Sequence, residues 1–372
     1  MTAAIPALFT PFALRGVTFR NRVIVSPMCQ YRAQDGHAKR WHRSHHGRLA
    51  LGGVGGAILE ATAVTETGRI TPGCLGIWSD DHIAGLAEIA AIYHDMATPV
   101  GIQLSHAGRK ASAATPFEGA QPLPDDDPRS WASLAPSAIA FGPNWQVPHA
   151  LDDAEIAGII DAFAAAAHRA VAAGFDFVEI HGAHGYLINS FVSPISNQRS
   201  DSWGGGNRFA LPLAIVRRLR AELPPTMPIF YRASAIDGVA GGVTIADTVA
   251  LACQLRDAGV DLVDCSSGGV SGPSGVGDRP PAPGYMVNFA TEVRRGAGIA
   301  SMAVGLIMTP ELANAVIADD SADLVAVGRE LLADSNFVHR CALALGLEQP
   351  HRVLPPGLSF WLERRRYAGM AQ

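Results

Sequence analysis

Cysteine is scarce in this chain, with five residues at Cys29, Cys74, Cys253, Cys265 and Cys341. No two stand as C-x-x-C, and an odd, scattered set argues against both a disulfide framework and a clustered iron–sulfur site. Lysine and arginine form no long tract, and the formal net charge is −5. Nucleic acid and anionic membrane are therefore not expected partners. The short run Arg364–Arg365–Arg366 is read as a solvated helix face. No stretch is both long enough and free enough of charge and proline to span a bilayer. The opening MTAAIPALFTPFAL lacks the basic residues of a secretory signal. A reduced, soluble, cytoplasmic protein is the expectation. A glycine-rich dinucleotide fingerprint is also missing: GGVGG at 52–56 precedes an apolar run instead of following one, and reads as a turn.

What the chain does have is rhythm. Short apolar runs alternate with longer helical patterns along its 372 residues. The strand candidates are Val23–Pro27, Gly56–Val64, Val100–Ser105, Phe177–His181, Ile229–Ala233, Leu262–Ser266, Ala300–Gly305 and Leu324–Gly328. They are apolar at successive positions, as strands covered on both faces must be. Asp152 or Asp153 can cap the helix that follows, and Gly174 can end it; Thr309 and Pro310 open another. The joins AGFDFVEIHG, AGVDLVDCSS and SADLVAVGRE repeat one helix-to-strand pattern. Eight such units predict an α/β fold, a single (β/α)8 barrel of the TIM type spanning residues 1–372, over a doubly wound sheet. LFTPFALRGVTFRN predicts a small N-terminal hairpin closing the barrel's lower end. The proline-rich segment 113–151, after the third strand, predicts a lid-like loop. Residues 350–372 form a C-terminal tail.

Active sites of such barrels lie at the C-terminal strand ends. Polar residues and glycines gather there: Ser26 to Tyr31, Glu60–Ala61, Gln103 to Lys110, His181 to Tyr186, Arg232, Ser266–Ser267, Gly305 and Gly328–Arg329. The pair His181 and His184 alone admits three readings, namely a satisfied core, a substrate-orienting pair or metal ligands. Metal is weakened by the lack of a third ligand at a recognisable spacing. It remains the alternative, as a metal-dependent barrel hydrolase or aldolase. Gly305, Gly328 and Arg329, after strands seven and eight, suit the phosphate site common in barrels. An inward Arg232 needs an anionic or electron-rich partner.

The motifs LFTPF, RNRVIVSPMCQY, EATAV, GRITPGCLGIWSDDHI, GIQLSHAGRKA, APSAIAF, EIHGAHGYLINSFVSPISNQRSD, DLVDCSSGG and AVGRELL run in one order from Leu8 to about Leu332. In that order the chain resembles the Old Yellow Enzyme family of flavin-dependent ene-reductases, in particular its bacterial xenobiotic-reductase branch. The resemblance implies bound FMN, reduced by NADPH or NADH in ping-pong fashion. It implies Ser26, Pro27, Met28 and Cys29 along one edge of the isoalloxazine, with Cys29 tuning its potential. Ala61 and Gln103 would meet the pyrimidine side and Arg232 the region of N1. Ser266, Gly305, Gly328 and Arg329 would hold the ribityl chain and phosphate. His181 and His184 would hydrogen-bond the carbonyl of an activated alkene such as an enone, maleimide or nitroalkene. Tyr186 would protonate its α-carbon, and Tyr31 would be a second tyrosine touching the substrate. The branch also implies a homodimer or higher oligomer, with Trp361 or Arg364 a candidate to enter a neighbouring active site. Two details depart from the family pattern: Trp203 stands where tyrosine is usual, and Gly206–Asn207–Arg208 follows SDSWGG at once.

Overall fold

The computed structural model describes residues 4–276 and 280–365. Eight parallel strands close into one barrel: β1 (Val23–Val25), β2 (Gly56–Ala63), β3 (Val100–Ser105), β4 (Phe177–Gly182), β5 (Ile229–Ser234), β6 (Leu262–Ser266), β7 (Ala300–Ala303) and β8 (Leu324–Val327). Each pairs with its neighbours in chain order, and β8 returns to β1 with Val325 opposite Val23. Helices follow the strands in turn: α1 (Arg40–Ala50), α2 (Ile83–His94), α3 (Asp153–Ala172), α4 (Ala210–Glu222), α5 (Ile245–Ala258), α6 (Val287–Ala297), α7 (Pro310–Ala318) and α8 (Phe337–Ala344). All eight expected strands are present: Val100–Ser105 and Leu262–Ser266 as expected, and the other six ending one or two residues earlier or later. β1 stops at Val25, before Pro27, which has no N–H to give a ladder; β7 stops at Ala303, before Gly305 turns to φ +119°.

The strands read as continuous apolar runs because both faces are covered. Val23, Val25, Leu59, Val178 and Ile180 belong to the large core beneath the helices. Ile24, Ile58, Phe177, Phe230, Leu262, Met302 and Leu324 form a second cluster with Phe19. Phe19 ends the expected hairpin, whose strands Phe12–Leu14 and Val17–Phe19 pair antiparallel. Its ring meets Phe177 edge-on at 5.7 Å, and Phe177 lies 4.6 Å from Phe230. An aromatic stopper thus closes one end of the barrel and leaves the other for chemistry.

Of the two candidate caps, Asp152 is the one used: it accepts from Glu155 N at 2.8 Å while Glu155 reaches back to Asp152 N at 2.8 Å. Thr309 caps α7 with Pro310 at its first position. The long loop is less formless than its composition suggests. Leu134–Ala135 pairs in parallel with His149–Ala150, and Arg129 ties Glu118 to Asp127. Arg109, after β3, donates to Ile139 O and Ala140 O at 3.3 and 3.2 Å, and to Val270 O at 2.5 Å. One buried guanidinium therefore fastens the loop to the barrel rim. Trp203 is also engaged, its indole donating to Asp153 at 2.9 Å, and Arg208 pairs with Asp247 at 2.5 Å. Among the described residues the last helix is Pro356–Leu362, so Arg364 and Arg365 follow a helix instead of lining one, and Arg366 lies outside the described residues. Trp361 is 70% exposed, and the Arg364 guanidinium stacks 3.6 Å from the Phe360 ring centre. Among the described residues no helix is long and apolar enough to cross a membrane.

Candidate active site

At the open end of the barrel, β4 delivers His181 as its penultimate residue, and the chain then turns sharply through His184 and Tyr186. The three rings meet edge to face: His181 to His184 at 5.2 Å, His181 to Tyr186 at 4.9 Å and His184 to Tyr186 at 6.4 Å. His184 adopts φ +62°, a left-handed conformation that costs a non-glycine residue about 1–3 kcal/mol. Three contacts hold it there. His184 N donates to Ser234 Oγ at 2.9 Å, its carbonyl accepts from Lys110 Nζ at 2.8 Å, and Gly269 leaves no Cβ to collide with its backbone.

Burial decides the charge of this group. It drives both imidazoles well below their usual range, with Arg232 and Lys110 adding to the effect, so they are neutral. His181 Nδ1 lies 3.4 Å from Ala183 N–H as acceptor, which leaves the proton on Nε2. His184 Nε2 sits 2.7 Å from Ser266 Oγ, so the serine holds the ring. Burial raises the Tyr186 phenol and, together with neighbouring Cys29 and Tyr186, raises Tyr31, so both keep their protons. Lys110 lies 5.1 Å from the Tyr186 ring centre, and burial followed by Arg109 lowers its ammonium to about 8.

Beside this group lies a cavity of about 350 Å³, bordered by Ser26, Met28, Arg232, Ser266, Gly305 and Arg329. Arg232 donates to Ser26 Oγ at 3.3 Å and faces Asp264 at 3.1 Å, while its buried Nε has no partner among the described residues. Gly305 and Gly328 leave backbone where side chains would press on Met286 and Met28. Arg329 is exposed at the rim, with no hydrogen bond or ion pair to the described residues. Cys29 and Tyr31 lie together on the segment after β1, and burial, then Glu60, raises the Cys29 thiol. Pro27 bridges Ser26 and Met28, and Ala61 is a buried residue of β2. Gln103 on β3 donates through Nε2 to Glu179 at 2.7 Å. Eight of the expected residues, Ser26, Met28, His184, Arg232, Ser266, Gly305, Gly328 and Arg329, line this one cavity, and the rings of His181 and Tyr186 pack against His184. Trp361 and Arg364 stand apart from it.

Four residues went unassigned in the sequence. Glu179 and Asp264 are fully buried on the inner face, beneath Gln103 and beside Arg232. Each precedes an assigned residue by two, Glu179 before His181 and Asp264 before Ser266, and period-two alternation along the strand is the signal that finds them. Tyr285 and Met286 complete one cavity wall from a loop that carries no motif. Glu60 is 1% exposed; its Oε2 accepts from Gln30 N at 2.8 Å and its Oε1 lies 3.5 Å from His42 Nε2. Burial raises Glu60 to about 8, against the opposing Gln30 N–H, and lowers His42 to about 4. Although the distance suits an ion pair, it joins two neutral groups.

Two neutral imidazoles, a proton-bearing phenol, a buried guanidinium and two bare glycines gathered beside one cavity suit the site of an enzyme that holds a cofactor. The sequence profile of the NADH:flavin oxidoreductase / NADH oxidase family matches residues 7–348. An NADPH dehydrogenase of Halalkalibacterium halodurans is 42% identical over 343 residues, covering 91% of this chain and 95% of that one. One from Bacillus cytotoxicus is 42% identical over 351 residues, covering 93% and 95%. Among solved structures, morphinone reductase superposes with a TM-score of 0.76 at 26% identity, covering 92% of this chain and 91% of that chain. The old yellow enzyme from Trypanosoma cruzi gives 0.76 at 28% identity, covering 92% and 93%. The chain belongs to the NADH:flavin oxidoreductase family, within the Old Yellow Enzyme group. It is an NAD(P)H-dependent flavin oxidoreductase whose cofactor is FMN. The residues present fit that group: an unpartnered Arg232 Nε beside the cavity suits an electron-rich ring edge, and two bare glycines with a free guanidinium suit a phosphate.

Proposed function

We propose that the enzyme reduces the C=C bond of alkenes activated by a carbonyl or nitro group, with Tyr186 as the proton donor. Bound FMN supplies the hydride, which it first receives from a nicotinamide. Everything else falls to the chain. His181, its proton on Nε2, and His184, braced by Ser266, donate hydrogen bonds to the activating oxygen. That contact strengthens as negative charge develops on the oxygen, so it favours the transition state over the bound alkene. Neutral imidazoles suit the task, because they polarise without holding a permanent charge that would bind carboxylate competitors.

The phenol of Tyr186 delivers its proton to the α-carbon, on the face opposite the incoming hydride. Its raised pKa keeps the proton in place until carbanion character appears. Lys110 lies against the same ring and anchors the His184 carbonyl, so one side chain sets the spacing of donor and polariser. Ser26, Pro27, Met28, Cys29, Ala61, Gln103 and Arg232 would hold the ring of the cofactor. Ser266, Gly305, Gly328 and Arg329 would hold its tail. Tyr31 would touch the substrate from the side of Cys29.

The observation that carries this reading is the neutral trio His181, His184 and Tyr186 meeting within 6.4 Å at the barrel mouth. Tyr186→Phe is expected to slow flavin reoxidation by an enone by about 10²–10⁴-fold, the range of a general acid, while reduction by NADPH is nearly unchanged. Stopped-flow absorbance follows the two half-reactions separately. Equal losses in both would rule out the proton-donor role.

A further inference from the structure

The reduced dinucleotide is larger than the pocket that receives its nicotinamide. On the reading above, in which that ring reaches the flavin through the open end of the barrel, the rest of the molecule lies along the rim. Its bridging pyrophosphate brings two negative charges to a chain whose formal net charge is already −5. What such a tail needs there is a cation with no counter-ion of its own.

Arg32 meets that need. It follows Tyr31 on the segment after β1 and is exposed. Its guanidinium carbon lies over the Trp41 ring at 5.1 Å and over the Phe117 ring at 5.4 Å. It makes no hydrogen bond or ion pair to the described residues. Arg69 shows the satisfied version of the same setting. It lies over Trp78 at 5.4 Å and Trp131 at 4.8 Å, but it also donates to Glu66 O at 2.8 Å and pairs with the Glu66 carboxylate at 3.4 Å. Aromatic faces hold a guanidinium by its flat sides and leave its N–H edge for a partner. At Arg69 that edge is used; at Arg32 it is open.

The clasp joins the site by two routes. Phe117, 71% exposed on the long loop, meets the Tyr31 ring edge-on at 6.3 Å. Trp41, on α1, donates from its indole to Gln30 Oε1 at 3.1 Å, and Gln30 Nε2 donates to Met28 O at 2.8 Å. Met28 borders the cavity, while Arg32 does not. Arg32 therefore stands one ring beyond Tyr31. In the dinucleotide a single ribose separates nicotinamide from the bridging phosphates, whereas the 2′-phosphate of NADPH lies at the far end.

We propose that Arg32, held by Trp41 and Phe117, is the binding site for the bridging pyrophosphate of the reduced dinucleotide. Its planar fork matches two phosphate oxygens at once, which an ammonium cannot do. The bridge is common to NADPH and NADH, so the contact serves both and does not choose between them. Lying outside the cavity, it adds affinity for the coenzyme and none for a small alkene.

The test is Arg32→Gln, which removes the charge and the fork from an exposed side chain. Calorimetric titration with the non-reducing tetrahydro forms of NADPH and NADH reads binding without turnover. Both dissociation constants are expected to rise roughly 10-fold, the loss of one charged hydrogen-bonded contact, and added salt should narrow the gap to wild type. Flavin reduction by N-benzyl dihydronicotinamide, which carries no phosphate, is expected to be equal in the two proteins. Unchanged affinity overturns the proposal. So does a loss confined to NADPH, which puts the contact at the 2′-phosphate, and so does an equal loss with the benzyl donor, which marks a structural role. A change in sedimentation between variant and wild type overturns it too, because a second copy of the chain then covers Arg32. A wild type whose flavin no dihydronicotinamide reduces would undo the functional reading itself, and this proposal with it.

Discussion

Glu60 offers a sharp test of the site's electrostatics, through Glu60→Gln. Its carboxyl is raised from an ordinary 4.5 to about 8 by burial, beside a His42 held neutral. Where the unfolded chain has lost the proton and the folded one keeps it, raising the pH favours unfolding. Stability is therefore full below about 4.5 and is lost as pH rises towards 8. The slope is about 1.4 kcal/mol per pH unit, so the whole window costs on the order of 5 kcal/mol. Glutamine keeps the bond from Gln30 N and cannot ionise, so the variant lacks this decline. Denaturant midpoints for both proteins, with FMN saturating so that ligand binding contributes equally, give the stability difference as pH is varied. The expected result is a wild type that loses ground steadily to the variant from mildly acidic to mildly alkaline pH. A true Glu60–His42 ion pair predicts the reverse, with wild type gaining as Glu60 ionises. A flat or rising difference would refute the neutral-pair reasoning.

Two further outcomes follow from the packing. Phe19→Ala should remove about 3–5 kcal/mol of stability by emptying the aromatic stopper, measured by denaturant unfolding; a loss under 1 kcal/mol would mean the hairpin does not seal the barrel. Arg232→Met should cost about 3–5 kcal/mol by stranding the Asp264 charge, and Asp264→Asn in the same chain should recover much of it. Simple additivity of the two substitutions would show that Arg232 and Asp264 are not a pair.

The barrel was legible in the sequence because parallel strands buried on both faces leave uninterrupted apolar runs, and eight of them alternate with helical patterns. Strand ends were less so, since Pro27 and Gly305 end the ladder by their backbone properties while the apolar pattern continues. The residues at the mouth were legible as motifs. Glu179 and Asp264 were not, because a carboxyl inside an apolar strand looks out of place until its partner on another strand is known, and Gln103 and Arg232 are 76 and 32 residues away respectively. The loop at 113–151 hid its small parallel ladder for a similar reason: two pairs of residues are too short to show a period.

The stopper made by Phe19, Phe177 and Phe230 leaves the barrel with a single doorway. Under the proposed reading, nicotinamide and alkene take turns on the same threshold, and whichever is in large excess lodges there while the other waits. The enzyme's throughput therefore depends on how quickly each spent visitor departs as well as on the chemistry inside.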